Sequence, residues 1–250
     1  MALAGLRKLA PSFGWDAYLD GLGVAPAAPI NVAQPDFVKG LEARVSSVKP
    51  AAWQVYLRWH VVHALAPALP KAFVDEDFRF RSKALTGAGQ ILPRWKRCVD
   101  ATDGALGEAL AQPFVRATFG AEGKQRALSM VAEIERAMQH NLEALAWMDG
   151  PTRKKALEKL QKINNKIGFP EVWRNYDALA VTRSSYAKNV LAAGEFELRR
   201  MLAKIGKPLD RREWYMTPPA VNAYYDANLN EMVFPAGILQ PPFFDRRATL

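Results

Sequence analysis

His60, His63 and His140 are the only imidazoles in the chain, and the first two stand three residues apart. On a helix that spacing turns both rings to one side, where they could share a metal ion. A metal site would need a third ligand. No cysteine or clear carboxylate stands at ligand spacing nearby, and the neighbours Trp59, Val61 and Val62 better suit imidazoles packed at the edge of a helix. Glu133 with Glu135, and Glu195 with Glu197, are carboxylates two residues apart, so a helix sends them to different sides and neither pair can act as acid and base on one bond. The 250 residues contain no H-E-x-x-H, G-x-S-x-G, P-loop or G-x-G-x-x-G sequence. No residue is assigned a catalytic or metal-ligating role.

The segment VNAYYDANLNEMVFPAGILQPPFFD, residues 221–245, offers a different chemistry. VNAYY and EMVFP are rich in aromatic and β-branched residues that favour extended backbone, and DANLN between them holds Asp and Asn residues that tolerate tight turns. The pattern predicts a β-hairpin. An exposed strand edge presents main-chain N–H and C=O groups to which an extended peptide can add as a further strand, and Asn222 could add a side-chain amide to that grip. An edge hairpin can equally be no more than the rim of a sheet.

The elements that must carry this hairpin read as helices. Phe37, Leu41, Val45 and Val48 recur at helical spacing until Pro50, which suits the first turn of a following helix with Trp53, Tyr56, Leu57, His60, Val61 and Ala64 on one broad face. A third helix over 78–103 is interrupted by Gly87, Gly89 and Pro93. Residues 122–147 form a regular apolar stripe from Leu128 to Leu145. DGPTRKKALEKLQKINNKIGFP reads as one complete helix, capped by Asp149, with Ile163 and Ile167 on its apolar face and Gly168 just past its end. A last helix covers 184–205. Everything before Asp210 is expected to be helical.

Half of the residues are hydrophobic, 24% are charged, and no apolar run reaches a membrane-spanning length of about eighteen residues. The N-terminal residues lack the apolar core of a signal peptide. The single Cys98 rules out an intrachain disulfide and any multi-thiolate zinc site. A net charge of +9 would permit binding to nucleic acid, but the basic residues fall in small clusters interleaved with Asp and Glu, as on solvated helix faces.

WYMTPPAVNAYYDANLNEMVFPAGILQPPFFD, residues 214–245, resembles the segment just ahead of the zinc motif in the neprilysin and endothelin-converting-enzyme family of metallopeptidases. The resemblance extends back through LAWMDGPTRKKALEKLQKINNKIGFPEVWRNY, RWKRCVDATDGALGEAL and LAPSFGWDAYLDGLGV, and so spans nearly the whole chain. It implies a mainly α fold. A multi-helix cap-type domain over 1–210 would be followed, over 211–250, by a hairpin that begins a thermolysin-like α/β catalytic domain. In that family the N-A-[FY]-Y strand binds substrate, which implies that Asn222 by its side chain and Ala223 by its backbone hold an extended peptide. Ile238 and Phe243 match residues of the pocket for the side chain after the scissile bond.

The resemblance implies small peptides as substrates, zinc in the full-length enzyme and an extracytoplasmic or membrane-associated parent. The zinc motif would follow Leu250, so this chain is expected to be a truncated piece that binds no zinc itself, is inactive alone and needs a C-terminal catalytic module as partner. No nucleic-acid partner and no membrane segment are expected. The alternatives are a non-catalytic peptide-binding module and a basic helical nucleic-acid binder. ALAQPFVRATFG departs from the family's more usual Gly-Gln-Leu-Tyr at 111–114, and Pro113 is expected to kink its helix. A hairpin without neighbouring strands is marginal, so residues 220–250 are expected to be the least ordered, exposing Val221, Tyr224, Phe234, Ile238 and Phe243.

Overall fold

The computed structural model of the protein describes residues 1–25 and 29–248. In chain order the elements are α1 (Leu3–Leu9), α2 (Trp15–Leu22), α3 (Pro35–Ser47), α4 (Pro50–Leu65), α5 (Lys71–Asp77), α6 (Arg94–Thr118), α7 (Gly120–Ala144), α8 (Gly150–Gln161), β1 (Asn164–Gly168), α9 (Tyr186–Leu202), β2 (Tyr224–Asp226) and β3 (Glu231–Pro235). A 3-10 turn over Ala66–Ala68 and a π-helical stretch over Phe78–Ala84 flank α5. The chain is mainly α, with one small mixed sheet. It divides into two compact units, Met1–Leu92 with Ala178–Leu209 and Pro93–Asp177 with Asp210–Leu250.

The first unit holds α1 to α5 and α9. Proline at the first turn starts both α3 and α4, where the missing N–H removes no helical bond. The Ser185 hydroxyl starts α9 by accepting from the Lys188 N–H at 3.3 Å. Leu6, Ala10, Ala66 and Ala193 are its buried apolar residues. No residue of α4 is buried, and Val55, Leu57, Trp59 and Val61 stay exposed. Apolar residues surround this helix on all sides, so the single broad face expected from the sequence does not become a buried stripe.

The second unit holds α6, α7, α8 and the sheet. Val115, Phe119, Ala127, Ile167, Ala236 and Leu239 form its core, joining two helices to β1 and to the chain leaving β3. α6 keeps helical backbone angles at Pro113. Its one non-helical residue is Leu106, beside Gly107, where an added Cβ would lie 2.2 Å from the Thr217 methyl. The close approach of Thr217, and not the proline, accompanies the kink.

The strands line up in the order β1-β3-β2, with β1 parallel and β2 antiparallel to β3. This corrects the expectation of an all-helical chain before Asp210. α8 ends at Gln161, and Ile167, expected on a helix face, is a core residue of β1. Gly168 does adopt a left-handed φ of +78°, but at the end of a strand, where an added Cβ would lie 2.3 Å from Phe119 Cε1. The hairpin therefore has a neighbouring strand. Glu231, Val233 and Pro235 are buried, and Phe234 and Ile238 pack against the core; only Val221 and Phe243 of the expected exposed patch are strongly exposed.

Candidate peptide-binding edge

The turn of the hairpin is fixed by side chains that the sequence placed there. Asp226 Oδ1 accepts from the N–H groups of Asn228 at 2.8 Å and Leu229 at 3.2 Å, and Asn230 takes a φ of +48° that few other residues tolerate. The Tyr225 hydroxyl donates to Asn230 Oδ1, and Asn230 Nδ2 donates to the Lys159 carbonyl, both at 2.9 Å. These bonds tie the turn to the last residues of α8.

Register decides which main-chain groups face outward. Asn164 N–H donates to Asn230 O and Ala236 N–H donates to Gly168 O, so Asn230, Met232, Phe234 and Ala236 address β1. Alternation then turns Glu231, Val233 and Pro235 towards β2. Tyr224 lies opposite Val233 and Asp226 opposite Glu231, so both face β3, and Tyr225 directs its N–H and C=O to the outer border of the sheet. Ala223 is in phase with Tyr225. Pro235 has no N–H to donate at the position where the ladder would reach Asn222, which explains why β2 begins only at Tyr224.

Asn222 is exposed at the start of this border, and its Oδ1 accepts from the Ala223 N–H at 2.8 Å. A peptide that used the Ala223 N–H would first have to displace that side-chain oxygen. Ile238 is half-buried against the core, whereas Phe243 is 76% exposed and its neighbour Phe244 packs inward. The structure thus brings Asn222 and Ala223 together at one border and leaves Phe243 standing away from the core that holds Ile238.

A buried ion pair holds the sheet behind this border. Lys166 Nζ donates to Glu231 Oε1 at 2.7 Å, and the two side chains are 6% and 0% exposed. Asn164 Nδ2 donates to the other carboxylate oxygen at 3.2 Å, and Lys166 also donates to the Glu213 carbonyl at 2.7 Å. β1, β3 and the segment entering the hairpin are joined by one set of bonds. No local pattern in the sequence reports this pair, since the partners are 65 positions apart and Ile163 and Ile167 around Lys166 keep a helical spacing.

Burial pushes the Tyr224 phenol above its ordinary value, opposed by the hydrogen bond it accepts from the Tyr215 N–H at 3.2 Å. Hydrogen bonds from Arg212 hold the Asp210 carboxyl down to about 2. Glu133 pairs with Arg136 while Glu135 accepts from Asn165 Nδ2 at 2.7 Å, so these carboxylates point to different partners.

Among the described residues no three His, Cys, Asp or Glu side chains come together as metal ligands would. His63 stacks on Trp59 with ring centroids 4.7 Å apart, and His60 meets the Tyr56 ring at 4.3 Å. No described helix is long and apolar enough to cross a membrane.

Known proteins define the class of this fold. Models of peptidase family M13 match residues 1–170 and 222–249. Neprilysin-3 of Drosophila melanogaster is 36% identical over 98% of this chain and 33% of its own length, and rat endothelin-converting enzyme 1 is 35% identical over 97% and 33%. Among solved structures, the Mycobacterium tuberculosis zinc metalloprotease Zmp1 in its open state superposes with a TM-score of 0.91 at 39% identity, covering 100% of this chain and 39% of that one. The same enzyme in complex with an inhibitor gives 0.87 at 40% identity, over 99% of this chain and 38% of its own. The chain belongs to peptidase family M13, the neprilysin-like metallopeptidases. It spans about a third of the length of the curated relatives it matches.

Proposed function

We propose that this chain supplies helices of the cap and the substrate-holding edge of an M13 zinc endopeptidase that cleaves small peptides outside the cytoplasm. Residues 1–210 form the N-terminal cap domain and residues 211–250 begin the catalytic domain. An extended peptide adds to β2, with main-chain bonds to Ala223 and Tyr225 and with the Asn222 amide turning from the Ala223 N–H to the peptide backbone. Ile238 and Phe243 contact the side chain that follows the scissile bond. The observation that carries this reading is the outer border of β2, where register points the Ala223 and Tyr225 main chain away from the sheet.

Zinc belongs to the whole family enzyme, and the C-terminal catalytic module that holds it is the partner this chain requires. The 250 residues contain no H-E-x-x-H, so by themselves they bind peptides without cutting them. The test is fluorescence anisotropy with a labelled extended peptide of apolar and uncharged residues. Asn222→Ala should weaken binding about tenfold, the upper range for one hydrogen bond. Equal binding by the wild-type chain and the variant would contradict the assignment of Asn222.

A second reading, a peptide-binding module that works without a catalytic partner, is favoured by one observation. β1 completes the sheet behind the hairpin within this chain, so the binding edge is supported by residues that are present.

A further inference from the structure

Asn222 is not held by the sheet. β2 begins at Tyr224, and among the described residues the Asn222 side chain bonds only to the N–H of its own neighbour Ala223. Its place at the border is therefore inherited from the residues that lead into it, 217–220.

These residues form a tight turn, closed by the Ala220 N–H donating to the Thr217 carbonyl at 3.0 Å. The turn sits against two glycines. On one side the Thr217 methyl occupies the space that a Cβ of Gly107 would fill, at the kink of α6. On the other the Gly237 N–H donates to the Pro218 carbonyl at 2.8 Å, and a Cβ on Gly237 would collide with the carbonyls of Pro219 and Ala220. Pro218 itself is buried.

One side chain fixes the turn to α6. Thr217 Oγ1 donates to Asp103 Oδ2 at 3.0 Å, across 114 positions of sequence. The other oxygen of Asp103 is buried and has no partner among the described residues. A carboxylate can only accept, so moving Thr217 away would leave a half-buried charge without its donor.

We infer that Thr217 and Asp103 are positioning residues for peptide binding: their hydrogen bond, with the seats at Gly107 and Gly237, sets where Asn222 presents its amide on the outer border of β2. The inference rests on the reading of Asn222 as a peptide-holding side chain, and adds that α6 determines its placement. Thr217 acts through the chain and not by contact.

The test is a double-mutant cycle read by fluorescence anisotropy with labelled acetyl-Ser-Val-Gln-Leu-Ser-Val-amide. Thr217→Val removes the hydroxyl and keeps the shape that fills the space beside Gly107. It should weaken binding about fivefold, most of what the Asn222 amide contributes, and Thr217→Ser, which keeps the donor, should bind as the wild-type chain does. On the Asn222→Ala background Thr217→Val should cause no further loss, because its effect passes through that amide. Asp103→Ala removes the acceptor instead and should repeat both results, which keeps the cycle measurable if urea unfolding shows Thr217→Val to be unfolded in the assay. Wild-type affinity in Thr217→Val, beside a loss of about tenfold in Asn222→Ala, would overturn the inference and leave the reading of the edge intact. The same loss with and without Asn222 would also overturn it, since Thr217 would then act on the fold at large. Equal binding by the wild-type chain and Asn222→Ala would sink the reading of Asn222 itself, and the positioning role with it.

Discussion

Lys166 and Glu231 illustrate how much a single pair of residues decides here. Each charge is removed from water, and each is matched by the other at 2.7 Å and by a second hydrogen-bonding partner. Removing one member strands the other, which costs about 3–5 kcal/mol, whereas replacing both with apolar residues of similar volume is close to neutral. Lys166→Met and Glu231→Leu should therefore each lower the urea midpoint sharply, and the double variant should recover most of the loss. A double variant as unstable as the sum of the two would show that the sheet needs the charges themselves. Tyr224 adds a pH signature at the same scale. Its phenol is raised by burial, so its contribution to stability is complete below the ordinary tyrosine value of about 10 and is lost as the pH rises beyond it. The urea midpoint should fall as the pH rises above about 10 in the wild-type chain, and Tyr224→Phe should make that fall shallower.

Among the elements, the hairpin was legible in the sequence and β1 was not, for a physical reason. VNAYY and EMVFP carry strand-forming residues around an Asp and Asn turn, so the information is local and the turn closes through bonds within a few residues. β1 is five residues long, it follows a helix, and Ile163 and Ile167 lie four apart as on a helix face. What makes it a strand is pairing with Glu231–Pro235, a partner far along the chain that no local pattern reports. Gly168, expected just past a helix, takes its left-handed φ at the end of a strand, because that conformation ends strands as well as helices. Asn222 and Ala223 stand at the border because the hairpin is encoded locally, whereas the buried pair behind them depends on β1 and on a partner 65 positions away. Gly168→Ala should lose more than about 1–3 kcal/mol, since it combines an unfavourable φ with a clash against Phe119. Urea unfolding measures this, and an unchanged midpoint would mean that Phe119 moves aside freely.

At the scale of the molecule, this M13 chain presents a strand edge held by its own sheet, together with helices whose apolar residues remain largely exposed. Binding and cleavage are separable in this account, because the residues that would hold a peptide are present and a zinc ligand set is not formed among the described residues. The most direct test is zinc content together with hydrolysis of a quenched fluorescent peptide by the purified 250-residue chain, with and without a chelator. The account predicts no stoichiometric zinc and no chelator-sensitive cleavage, with the peptide still bound and released by Asn222→Ala. Tight zinc with chelator-sensitive turnover would contradict it, and would return His60 and His63 to consideration as ligands.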